Sequence, residues 1–306
     1  MRSKKLAITL AFFLSCILLA DGGCTQNRAE TAIRPSSPSS RIAPKIVSPA
    51  THRALKRLLA SQDYNWDTLD QGVPPFILKT LPPDFDRIPR IEERKKIFFL
   101  SLLPTVLLIN DEISQEREEA LELLARYDSG QSLSKEDRTY LSSLAEEYQV
   151  EGSPLSSIKK RKKLLKRLDI VPPSIVLAQA ANESGYGTSR FARQGNNLFG
   201  EWTFTPGTGL VPRERPEGET YEVRKFDTIY DAVKSYMKNI NTHWAYQALR
   251  DRRAQMRAEG RPLKGTDLAE ELKLYSTRRD DYVKDIRSII RQNRLSLLSS
   301  VALRPS

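Results

Sequence analysis

The chain has 306 residues, 39% hydrophobic and 28% charged, with 49 Lys and Arg against 38 Asp and Glu and a net charge of +11. This is the composition of a soluble globular protein long enough for about two domains. Its two cysteines, Cys16 and Cys24, and two histidines, His52 and His243, exclude a disulfide framework and any metal centre built from several His or Cys ligands.

Met1-Arg-Ser-Lys-Lys5 is a basic n-region and Leu6 to Ala20 an apolar h-region, so residues 1–23 read as a signal peptide and the protein as exported to the cell envelope. An uncleaved anchor competes, since so short a run barely reaches across a bilayer. Cys24, preceded by Asp21-Gly-Gly, resembles the acceptor of a bacterial lipoprotein, and a lipid there would tether the protein to a membrane; a leftover thiol is the alternative. Residues 24–50 are rich in Ser, Pro and Arg and are expected to form an extended, solvated linker.

Residues 51–152 are expected to be a helical region. His52 to Ala60 is amphipathic, and Val73-Pro-Pro and Leu81-Pro-Pro then break the chain. Arg90 to Leu103 and Thr105 to Ile109 form an apolar run interrupted by Pro104, read as a kinked core helix rather than a membrane span because charges bound a run that is too short. Further helices are expected over Ser114 to Tyr127 and Ser134 to Tyr148, the latter opening on a capping box with Asp137 in the usual glutamate place. Ser156 to Leu168 carries Lys159-Lys-Arg-Lys-Lys163 on an exposed face, with Ile158, Leu164, Leu165 and Leu168 inward. With no base-reading motif beside it, this run does not indicate a nucleic-acid partner.

Val171-Pro-Pro-Ser-Ile-Val-Leu177 starts a helix with no breaker before Gly185. Helical spacing places Glu183 on the stripe of Val176 and Ala180, where desolvation raises a carboxyl pKa toward the range of a general acid. Phe199, Trp202 and Phe204 then supply flat apolar faces beside the amides of Asn196 and Asn197, a mixture that suits a sugar chain. Gly209 to Arg215 and Thr220 to Phe226 alternate as strands around Pro216-Glu-Gly-Glu219, a hairpin offering Glu214 and Glu222 on its strands. Two more helices are expected over Thr228 to Ile240 and Asn241 to Arg250, with Tyr246 in the second. Serine-hydrolase and phosphate-loop motifs are absent. The reading is a mostly helical α+β fold.

Ala178-Gln-Ala-Ala-Asn-Glu183-Ser-Gly-Tyr186-Gly-Thr-Ser-Arg-Phe-Ala192, followed by Gly195-Asn-Asn197-Leu-Phe199-Gly200, resembles the signature of the bacterial N-acetylglucosaminidase domain of peptidoglycan hydrolases, and within that family the Bax-like proteins. The likeness covers residues 153–293, with 294–306 as a tail. Leu274-Tyr275-Ser-Thr-Arg-Arg-Asp-Asp-Tyr282 resembles a second family segment, with Arg-Arg-Asp-Asp where the family has an Asp-Pro turn. The resemblance implies a lysozyme-like domain with a small β-hairpin lobe that cleaves peptidoglycan glycan strands after N-acetylglucosamine without a cofactor or metal. It also implies Glu183 as general acid, a second acid in the hairpin, Tyr275 in the active site, and Tyr186, Asn197, Phe199, Trp202 and Tyr246 against the substrate. Strand alternation leaves Glu222 and Glu214 open as the second acid, and substrate assistance is a further route. A lytic transglycosylase and a non-catalytic wall-binding scaffold are the competing functions.

Overall fold

A computed structural model describes residues 44–305; the expected signal peptide and Cys24 lie outside the described residues. The protein is a mostly helical α+β fold in which one hydrophobic core runs from Leu55 to Leu298. The expected helical region and catalytic half therefore share a single interior.

Strand β1 (Lys45–Val47) begins inside the stretch expected to be linker and pairs in parallel with β2 (Phe76–Leu78), between the two proline breaks. Val47 packs against the core, which is why extended chain becomes strand here. Helix α1 (His52–Ser61) is N-capped by Thr51. Helix α2 (Ile91–Asp128) is continuous through Pro104 and absorbs the separate helix expected over Ser114 to Tyr127. An interior proline removes one N–H and costs about 3 kcal/mol; burial of Leu102, Leu103, Val106 and Ile109 around it offsets that loss. By length and composition α2 passes as a membrane span, yet 78% of its most apolar window is buried inside the protein. It is the core helix the sequence suggests.

Helix α3 (Lys135–Glu147) opens on the Ser134–Asp137 capping box. On α4 (Ile158–Arg167) Leu164 and the following Leu168 point inward as expected, but Ile158 is 67% exposed because it occupies the first turn, before the helix meets its neighbours. Helix α5 (Pro173–Ser184) is central and packs against α2, the short α9 (Gly265–Leu268) and α10 (Asp280–Gln292). Helices α6 (Arg190–Gly195), α7 (Ile229–Thr242) and α8 (Gln247–Ala258) complete the helical frame.

The lobe is a three-stranded antiparallel sheet rather than a two-stranded hairpin. Strand β5 (Glu222–Arg224) lies between β3 (Trp202–Thr203) and β4 (Gly209–Leu210), with Val223 opposite both Trp202 and Leu210. Residues 211–221 connect β4 to β5 without regular structure. The expected tail is also structured. Leu295 and Leu298 are buried beside α5, and Arg304 donates to the carbonyls of Gly72, Gln62 and Asp63.

Candidate active site

Glu183 sits in the last turn of α5. Pro173 enters the first turn, where its missing N–H is harmless, and Gly185 ends the helix in the left-handed region at φ 58°. Gly187, at φ 77°, lies so close to Leu81 and Phe98 that a Cβ would meet Leu81 Cδ1 at 2.6 Å. The chain thus turns tightly against α2 and leaves the Glu183 side chain half-buried at the helix end. Burial pushes its carboxyl up; hydrogen bonds from Asn182 Nδ2, at 3.1 Å, and Tyr282, with the Arg278 charge, only partly oppose this.

Four buried tyrosines surround this acid. Tyr282 accepts from Gln179 Nε2 at 2.7 Å, and Tyr236 donates to Gln179 Oε1, so Gln179, one turn before Glu183, locks two phenols around it. Tyr275 stacks on Tyr282, centroids 5.2 Å apart, and donates to the carbonyl of Phe199 at 3.2 Å. Tyr246 meets Tyr275 at 6.0 Å. Burial first, then the Glu183 charge, pushes the phenols of Tyr246, Tyr275 and Tyr282 upward, so they remain O–H donors. Arg279, at φ 46°, makes the turn that places Tyr282 on α10, in the segment where the family has its Asp-Pro turn.

The lobe is rooted beside this cluster. Asn197 donates to the carbonyls of Glu201 and Arg224 at 2.8 and 2.9 Å and accepts from the amides of Phe199 and Glu201. Asn196, left-handed at the end of α6, donates to the carbonyl of Phe226 at 3.0 Å. The Glu222 carboxylate accepts from the amides of Gly207 and Gly209 at 3.0 and 2.7 Å, and those two bonds hold it below its usual range. Glu201, at the start of the lobe, is pushed up to about 7 by burial against the opposing Ser235 hydroxyl and Arg224 charge. Its Oε2 accepts from Ser235 at 2.7 Å, while its buried Oε1 has no partner within the protein.

Glu183, Tyr275 and Tyr246 are thus brought together, and Phe199 joins them through its carbonyl while its ring stacks on Tyr236 at 3.9 Å. The other expected substrate contacts have the following surroundings. Asn197 is 2% exposed with both amide atoms bound to backbone, so it builds the lobe root. Tyr186 packs its ring on Phe98 and Phe99, at 6.1 and 5.8 Å, tying the motif to α2. Trp202 stacks on Tyr221 within the lobe, and Glu214 lies exposed in the 211–221 connection. The sequence reading missed Gln179, Tyr282, Tyr236 and Glu201. The spacing of Gln179 to Glu183 was the available signal for the first; for Glu201 there was only its adjacency to the glycine that ends the motif. Among the described residues no group of three His, Cys, Asp or Glu side chains is arranged to hold a metal ion.

Residues 159–295 match the Glucosaminidase family, described as mannosyl-glycoprotein endo-beta-N-acetylglucosaminidase. The chain is 34% identical over 200 residues to Protein bax of Escherichia coli (strain K12), spanning 65% of this chain and 70% of that protein. No solved structure matches. The half-buried acid at the end of α5, ringed by phenols and flanked by a β lobe, lies within the residues that match, and the chain belongs to the Bax-like glucosaminidase family.

Proposed function

We propose that the protein hydrolyses peptidoglycan glycan strands at the bond after N-acetylglucosamine, with Glu183 as general acid. The observation that carries this reading is the place of Glu183, a carboxyl raised by burial at the end of α5 and surrounded by Tyr236, Tyr246, Tyr275 and Tyr282. Burial raises Glu183 toward the protonated form, and backbone amides hold Glu222 ionised. Glu183 protonates the leaving oxygen. Glu222, carried on the lobe, activates water or stabilises the positively charged ring of the transition state. Tyr275 orients the acetamido group or the water. The envelope is where such a substrate lies, so the reading includes export by residues 1–23 and, through Cys24, a lipid tether.

The test is to incubate the protein with purified sacculi and identify the released fragments by mass spectrometry. N-acetylglucosamine at the new reducing end supports hydrolysis, anhydro-sugar products mark a lytic transglycosylase, and binding without release marks a scaffold. Glu183→Gln is expected to lower the rate about 10²- to 10⁴-fold with the circular dichroism spectrum unchanged. Full activity in that variant removes Glu183 from the chemistry.

A further inference from the structure

Trp244, in the turn between α7 and α8, is the most exposed large hydrophobic side chain among the described residues, at 70%. Burying such a ring is favourable, and the core leaves this one unused. It stands at the outer end of a row of rings that starts at the Glu183 site. Tyr282 meets Tyr275 at 5.2 Å, Tyr275 meets Tyr246 at 6.0 Å, Tyr246 meets His243 at 5.8 Å, and His243 meets Trp244 at 5.4 Å. Exposure along the row rises from 2% at Tyr282, 3% at Tyr275 and 4% at Tyr246, through half-buried His243, to the open indole.

The turn that displays the indole is fixed from beneath. His243 Nδ1 accepts from the Ala245 amide at 3.3 Å. Arg250, 4% exposed, donates from one guanidinium nitrogen to the carbonyls of Ile240 and His243, both at 2.8 Å. A turn held this way loses little backbone freedom when a ligand arrives.

We propose that Trp244 is an outer platform of the glycan site, its indole stacking on the apolar face of an N-acetylhexosamine ring in a strand whose scissile bond lies at Glu183. This rests on the glucosaminidase reading and extends it to a second point of contact. One indole offers about 150–250 Å², which suits one sugar ring. A stable protein partner needs about 800 Å² on each side, and the exposed neighbours Gln247 and Ala248 add no large apolar surface.

The full-length Glu183→Gln protein, titrated calorimetrically with the hexamer and the dimer of N-acetylglucosamine, provides the test. Adding Trp244→Ala is expected to weaken hexamer binding about threefold to tenfold. Trp244→Phe is expected to weaken it less, and dimer affinity is expected to stay the same. Equal hexamer affinity with and without the indole overturns the platform and leaves the Glu183 reading intact. Absence of hexamer binding, together with no fragment release from sacculi by the unaltered protein, overturns both.

Discussion

Glu183 and Glu222 carry the same carboxyl, and their surroundings drive it in opposite directions: burial at a helix end for one, two glycine amides for the other. If the first donates a proton and the second acts charged, the rate must fall on both sides of an optimum. The alkaline limb follows loss of the Glu183 proton above the usual carboxylate range, and the acid limb follows protonation of Glu222 below it. A pH profile of kcat on sacculi that stays flat on its alkaline side contradicts the Glu183 role. Glu201 makes a separate prediction about stability. Folded, it keeps its proton up to about 7, whereas its ordinary value is 4.5. The folded state therefore binds more protons between those values, and stability falls as pH rises through that window and levels off above it. Glu201→Gln should remove this slope, at most about 3 kcal/mol, readable as urea midpoints at pH 5 and pH 8. Glu116, also pushed up to about 7 by burial, adds a parallel slope of its own, so only the difference between variant and parent reports on Glu201. At this scale the sequence showed Glu183 because helical period and a terminating glycine fix its place. The backbone bonds of Asn197 were not legible, because an amide serves sugar or backbone equally well and only the fold supplies the backbone.

Between elements, the most consequential junction is a buried charge. Arg253 of α8, fully buried, donates to the carbonyls of Lys166, Asp169 and Ile170 and to Asn241 Oδ1, while Asp169 also pairs with Arg257 at 2.8 Å. One guanidinium thereby joins the end of α4, the lead into α5, α7 and α8. Arg253→Ala leaves the Lys166 and Ile170 carbonyls and Asn241 Oδ1 without this donor, and leaves the Asp169 charge to Arg257 alone, so a loss of about 3 kcal/mol is expected in denaturant unfolding; a loss below about 1 kcal/mol contradicts this account. The long helices were legible because each repeats an apolar stripe over many residues. Continuity through Pro104 was not, because it depends on neighbours burying α2 from several sides. Three of the short strands were also beyond reach: β1, β2 and β3 show no period of their own and exist through their pairing.

Across the whole molecule, the division into helical region, catalytic domain and tail dissolves into one interior. Phe98 and Phe99 of α2 touch Tyr186 of the active-site motif, and Leu295 and Leu298 complete the packing beside α5. Deleting residues from Leu295 onward is expected to lower the thermal midpoint of the whole protein in a single transition. Survival of an unchanged melting curve would show that the terminal segment is dispensable. The sequence divided the chain by composition, which records where apolar residues lie along it but not which distant stretches they meet.

The clasp of Arg304 on the carbonyls of Gln62 and Asp63 spans 242 and 241 positions of sequence. Contacts of that separation form late and slowly. The surroundings of the first helix therefore stay unfinished until the segment around Arg304 docks onto them.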